Sequence, residues 1–194
     1  MGRIFIVRHG QTDLNKRKIM QGRIDSLLNE EGKRQAEETA ALFQEKGVEF
    51  ARVYSSPLKR AMATAKIIAG EDRELLLDEK LLEMDYGPYD GVSLENPPEE
   101  LVWFFKDFVH HNPPEGMEKL SHVVERAGEF LRSIQDEIGD QDVLISTHAI
   151  TMKGMLEYLN PKRNGEYWDK YIGNCSVYWS EWRDGVFSLP EELI

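Results

Sequence analysis

Arg8-His9-Gly10 follows directly on the apolar run Ile4-Phe5-Ile6-Val7, and Ser146-Thr147-His148 follows directly on Val143-Leu144-Ile145. Both runs are short and rich in β-branched residues, so each reads as a buried strand with its histidine in the turn beyond. An imidazole can attack an electrophilic centre or move a proton, and a guanidinium offers a planar fork that matches the oxygens of a small anion. Arg60 adds a second guanidinium in the first turn of a helix, again just beyond a strand-like stretch. A cation there opposes the helix dipole, which favours negative charge at its amino end, and a bound anion would cancel the repulsion. Each residue taken singly is as well explained by ordinary structure. Two histidines and two arginines at equivalent strand ends point to one crevice.

The elements that must place them alternate. Asn29 can cap a helix with Ala36, Ala40 and Phe43 on one face, ending at Gly47; Ala51 to Tyr54 reads as a strand. Ser56 and Pro57 then predict a cap and first position for a helix carrying Ala61, Ala65 and Ile68, with Gly70 ending it. Glu74 to Leu77 reads as a third strand. Leu120, Val124, Ala127, Leu131, Ile134 and Ile138 fall in steps of three and four, giving a long amphipathic helix closed by Gly139. A helix with Met152, Met155, Leu156 and Leu159 follows His148. This order predicts an α/β, three-layer αβα sandwich with a mostly parallel sheet. Cys175 to Trp182, Asp184-Gly185 and Val186 to Leu189 read as an antiparallel hairpin at the carboxyl-terminal edge, and that strand is a candidate homodimer contact.

No repeat or linker divides residues 1–194, so one domain is expected, with a lid-like insertion over residues 88–116. That insertion holds Pro97-Pro98, Pro113-Pro114 and the aromatics Trp103, Phe104, Phe105 and Phe108. Packing is the favoured reading for these rings; lining an apolar pocket is the alternative.

Twenty-four basic against 35 acidic residues give a net charge of -11, which argues against nucleic acid as a partner. Against that background Arg8, Lys16, Arg17, Lys18 and Arg23 form a local cationic mouth, although Lys16 to Lys18 read first as a solvated loop. No stretch approaches about 18 consecutive apolar residues. The opening residues lack a secretory signal's apolar region, and the lone Cys175 cannot form an internal disulfide. A cytoplasmic protein with no membrane partner is expected.

At this point the motifs resemble those of the histidine phosphatase superfamily, in its phosphoglycerate-mutase-like branch, along nearly the whole chain. Val7-Arg8-His9-Gly10-Gln11-Thr12 with Asn15 is similar to the signature around the phosphorylated histidine. Gln21-Gly22, Asp25 to Leu28, Glu31-Gly32 and Gln35-Ala36 resemble the segment that follows it. Ser55 to Ala61 with Thr64-Ala65 looks like the motif of the second arginine, Leu82-Glu83 with Gly87 and Gly91 like the general-acid segment, and Ser146-Thr147-His148 like that of the second histidine.

The resemblance implies that His9 attacks phosphorus, that Arg8, Arg60 and His148 hold the phosphoryl oxygens, and that Glu83 protonates the leaving oxygen. Asn15, Gln21 and Gly22 would bind substrate, a small phosphorylated metabolite, without metal or cofactor. Ala149 stands where the family commonly has glycine, and Gly116-Met117-Glu118 matches a family segment only loosely. Met84 stands where mutases place an arginine, which favours hydrolysis over a phosphoglycerate mutase. Two further readings are a non-catalytic phospholigand-binding module and a metal hydrolase using His110, His111 and His122.

Overall fold

Alternate residues of the first strand, β1 (Gly2–Arg8), enter two different cores: Ile4 and Ile6 face one, Phe5 and Val7 the other. This is the period-two signature of a strand covered on both sides. The computed structural model describes residues 2–194, Arg163 by its backbone alone. After β1 come α1 (Asp13–Lys16), α2 (Glu30–Glu45), β2 (Phe50–Ser55), α3 (Lys59–Ala69), β3 (Leu76–Leu77) and α4 (Glu99–Lys106). There follow α5 (Leu120–Ile138), β4 (Asp142–Thr147), α6 (Ala149–Leu159), α7 (Glu166–Asp169), β5 (Val177–Arg183), β6 (Val186–Phe187) and β7 (Glu191–Glu192).

The sheet runs β3-β2-β4-β1-β5-β6, with β7 also paired to β5. The first four strands are parallel; β5 is antiparallel to β1, and β6 and β7 are antiparallel to β5. Helices cover both faces, as the alternation of elements requires. On one face Ala127, Phe130, Leu131 and Ile134 of α5 and Met152 and Met155 of α6 pack on Ile4, Ile6, Val143 and Ile145. On the other, Ala36 and Phe43 of α2 and Ala65 and Ile68 of α3 pack on Phe5, Val7, Val53 and Leu144. Phe5, Phe43 and Phe50 meet edge to face there, with centroids 4.9 to 5.8 Å apart. Each such ring or aliphatic chain stabilises the fold by about 1.5–3 kcal/mol through burial.

Several expectations need correction. Helix α3 begins at Lys59, and Leu58 occupies the cap position without a side-chain bond. Ser56 only weakly accepts from Leu58 N–H (3.4 Å), because its hydroxyl is directed to His148. The third strand shrinks to Leu76–Leu77. In α5 the buried stripe runs through Val123 and Phe130, leaving Leu120 and Val124 half-buried on its shoulder. Strand β5 is paired on both sides within the chain: with β1 along one, and on the other with β6 at Trp182 and Arg183 and with β7 at Tyr178 and Trp179.

Within residues 88–116 Pro98 precedes α4, whose first turn holds Glu99 and Glu100. Leu101, Phe104 and Phe108 pack against Met20, Met84, Tyr86 and Trp168, whereas Trp103 remains exposed. Packing accounts for Phe104 and Phe108.

Candidate active site

Parallel register brings the site together. Arg8 lies level with Thr147 and Ser55 with Ser146. The next residues, His9, His148 and Ser56, therefore leave the sheet side by side. His9 N–H donates to Thr147 O and Ser56 N–H to Ser146 O, both at 3.0 Å. The two imidazoles come within 5.2 Å, centroid to centroid, at 62°. Gly10 is needed because two turns touch here: a Cβ on it would lie 2.3 Å from Gly32 O at the start of α2.

The partners of His9 fix its tautomer. Nδ1 lies 2.7 Å from Gly10 O, which can only accept, so Nδ1 carries the hydrogen and Nε2 keeps its lone pair. Arg60 Nε–H donates to Nε2 at 3.2 Å. Burial, then the charges of Arg60 and Arg8, hold the imidazole well below its usual pKa of 6.5. The ring is neutral at physiological pH, as a nucleophile must be.

His148 is likewise buried. Nε2 meets Ser56 Oγ at 2.8 Å, and Nδ1 finds no partner among the described residues. Burial and then Arg60 push its pKa well down. In the unfolded chain both imidazoles take up a proton near pH 6.5, whereas the folded site refuses it. The unfolded state is thus the more protonated one below that pH, and stability falls with falling pH. Chemical denaturation at successive pH values should show a histidine contribution to the slope that fades as pH rises above 7. Stability should fall progressively as pH drops through and below about 6.5.

Arg60 is fully buried, the largest side chain to be so. Beyond its bond to His9, Nη1 donates to Ile24 O at 2.6 Å and Nη2 to Gly22 O at 2.9 Å. Burial lowers its pKa to about 10, so it stays cationic at neutral pH. Three bonds occupy three of its five N–H groups, and the two that remain can meet an anion. Arg8 is half-buried; Nη1 donates to Ile172 O at 2.6 Å, and Nε is buried without a partner among the described residues. Burial lowers its pKa as well.

Glu83 is buried at the amino end of α6. Oε1 accepts from Met84 N (2.8 Å) and Thr151 N (3.1 Å), and Oε2 from Ile150 N (3.2 Å). The carboxyl thus meets the helix amides that His148, at the cap position, leaves unpaired.

The sequence-derived binding residues prove to be heavily engaged by the protein. Asn15 closes a capping box with Thr12, and its Oδ1 also accepts from Asn174 Nδ2 at 3.3 Å. Gln21 bridges Thr12 Oγ1 (2.7 Å) and Ser26 Oγ (2.6 Å). Gly22 presents its carbonyl to Arg60, and a Cβ there would lie 2.6 Å from Met84 O.

Sequence reasoning missed several supports. Asn174 Nδ2 holds His9 O at 3.0 Å. Arg126 pairs with Glu118 (2.7 Å), and its Nη1 donates to Lys80 O and Leu82 O beside the acid segment. A cation on the buried stripe of α5 was the available signal. Tyr86, buried with its pKa raised by desolvation and then by Glu83, lies against Gly22. His110 and His111 contact Asp107, and His122 contacts Glu118. Among the described residues no three His, Cys, Asp or Glu side chains are placed to hold a metal ion.

Two imidazoles beyond the ends of parallel strands, two guanidiniums and a buried carboxyl are groups that together can bind a phosphoryl group and stabilise charge on it. Residues 4–191 match the family model described as histidine phosphatase superfamily (branch 1). Phosphoserine phosphatase 1 of Hydrogenobacter thermophilus is 28% identical, the match covering 97% of this chain and 92% of the relative. A 2,3-bisphosphoglycerate-dependent phosphoglycerate mutase of Parvibaculum lavamentivorans is 29% identical over 81% of this chain and 79% of the relative. The crystal structure of phosphoserine phosphatase from Entamoeba histolytica in complex with 3-phosphoglyceric acid superposes with a TM-score of 0.83 at 26% identity, covering 99% of this chain and 96% of that one. The chain belongs to the histidine phosphatase superfamily, branch 1, and is a phosphatase-type hydrolase. Among the described residues no helix is long and apolar enough to cross a membrane.

Proposed function

We propose that the chain hydrolyses small phosphate monoesters through a phosphohistidine on His9, without a metal ion. The observation that carries this reading is the unprotonated Nε2 of His9 facing the Arg60 guanidinium. As substrate docks, Arg60 Nε–H leaves Nε2 for a phosphoryl oxygen; the freed Nε2 lone pair attacks phosphorus, and the bond to the leaving oxygen breaks with its electrons going to that oxygen. Glu83 supplies the proton the leaving oxygen needs. Water then attacks the phosphohistidine, the P–N bond breaks, and the Glu83 carboxylate takes the proton released. Arg8, Arg60 and His148 stabilise charge on the equatorial oxygens, and Asn15 Nδ2 is the binding group of the 12–22 segment. Residues 88–116 form the lid over the leaving group. A cytoplasmic setting fits the buried, unpaired Cys175.

The substrates named in the relatives' descriptions, phosphoserine and 3-phosphoglycerate, head the panel to be tested. Release of inorganic phosphate that survives a chelator supports the reading. Conversion of 3-phosphoglycerate to its 2-isomer in the presence of trace bisphosphate would establish the mutase instead. Met84, fully buried against Met20 and Tyr86 at the place where mutases carry an arginine, favours hydrolysis.

Glu83→Gln should separate leaving groups. Cleavage of an alkyl phosphate should fall by about 10²–10⁴-fold, since its alkoxide needs the proton. p-Nitrophenyl phosphate, whose leaving group is stable unprotonated, should suffer much less. Equal losses for both would remove Glu83 from the acid role.

A further inference from the structure

The three amides of Gly22, Arg23 and Ile24 converge on one carboxylate. Gly22 N–H donates to Asp90 Oδ1 at 2.7 Å, Arg23 N–H to Oδ2 at 2.8 Å and Ile24 N–H to Oδ2 at 3.0 Å. Consecutive amides turned one way form an anion-binding concavity and leave carbonyls free to point elsewhere. Here Gly22 O and Ile24 O point to Arg60, holding Nη2 and Nη1. Arg60 in turn reaches His9 Nε2. Asp90 is 66 to 68 residues from the amides it holds, and it lies at the root of the insertion. The adjoining backbone is stitched to the same segment: Gly91 N–H donates to Met20 O, Met20 N–H to Val92 O and Leu94 N–H to Lys18 O.

We propose that Asp90 is a positioning residue for the phosphoryl site, fixing the Gly22–Ile24 strap so that its two carbonyls aim the Arg60 guanidinium at the group bound on His9. In the free site two carbonyls and one imidazole nitrogen hold a planar group in one orientation; when Nε2 takes the phosphoryl group, the two carbonyls alone keep that orientation. Without the carboxylate three amides lose their acceptor, the strap turns to find others, and the carbonyls leave Arg60. Asp90 touches no reacting atom. Because it stands at the base of residues 88–116, it also links any displacement of that insertion to the alignment of Arg60. This role rests on the phosphatase reading above.

The test is a double-mutant cycle in the full chain, read both by turnover of p-nitrophenyl phosphate and by calorimetric titration with orthovanadate. Asp90→Ala should lower kcat/KM by about 10²-fold, the usual cost of misplacing a positioned group by roughly 1 Å, while Asp90→Glu restores part of it. Vanadate affinity should fall with it. In an Arg60→Lys background, where the carbonyl clamp has no fork to aim, Asp90→Ala should cost less than about threefold by either readout. Asp90→Asn, of the same shape, carries the comparison if the alanine variant unfolds. Full activity in a folded Asp90 variant overturns the role, as does a loss that persists undiminished beside Arg60→Lys. A wild-type chain that binds vanadate without hydrolysing esters overturns the phosphatase reading alone, and the vanadate cycle still decides for Asp90. One that does neither overturns both.

Discussion

Replacing His9 with alanine is expected to lower kcat by about 10⁴-fold or more while the protein stays folded, since removal of a covalent nucleophile typically costs 10⁴–10⁶. The ring makes few structural commitments: Nδ1 to Gly10 O and Nε2 to Arg60 Nε. Its backbone bonds, to Thr147 O and from Asn174, survive truncation. The variant should therefore melt within a few degrees of the wild type and keep its affinity for vanadate within about tenfold. Stopped-flow assay of phosphate release, with thermal melting alongside, checks both parts. Retention of more than about 1% of wild-type kcat would remove His9 from the reaction, because about 10⁻² lies far above the residue left when a nucleophile is lost.

The second large effect belongs to Arg60→Lys. Lysine keeps the charge but has no fork, and an ammonium cannot hold Gly22 O, Ile24 O and His9 Nε2 in their observed directions together. A fall of about 10²–10⁴-fold in kcat/KM is expected, the range for losing a preorganised donor to a developing oxyanion. Stability should drop as well, by about 2–4 kcal/mol, since two carbonyls in a fully buried site lose their partner. Denaturant unfolding measures this term separately from rate. If Arg60→Lys left kcat/KM within threefold of wild type, the guanidinium could not be the group that stabilises the transferring phosphoryl.

Those two residues were legible in the sequence because local rules placed them. The apolar runs ending at Val7 and Ile145 announce buried strands, and parallel strands bring their carboxyl ends to one edge. Arg60 stood out as a cation in a first helical turn. The long helix α5 and the terminal hairpin were visible through their periods of 3.6 and 2. What escaped depends on partners distant in the chain. Asn174 reaches His9 across 165 residues, and Asp90 reaches Gly22 across 68. No window of sequence contains both ends of such a bond.

The start of α3 is hidden from the sequence for a related reason. Ser56 has the composition of a cap, yet His148, 92 residues away, claims its hydroxyl. The motif marks Asn15, Gln21 and Gly22, but not how much of their hydrogen-bonding capacity goes to Thr12, Ser26 and Arg60 in the fold. The pairing of β7 with β5 is too short, two residues, to leave a pattern in the sequence.

Rapid quench of the enzyme with a ³²P-labelled monoester, followed by peptide mapping, tests the covalent step most directly. Label stable in alkali, lost in acid and carried by the peptide containing His9 is the expected result. Steady turnover with no label on that peptide at any quench time, or label on His148 in its place, would contradict it.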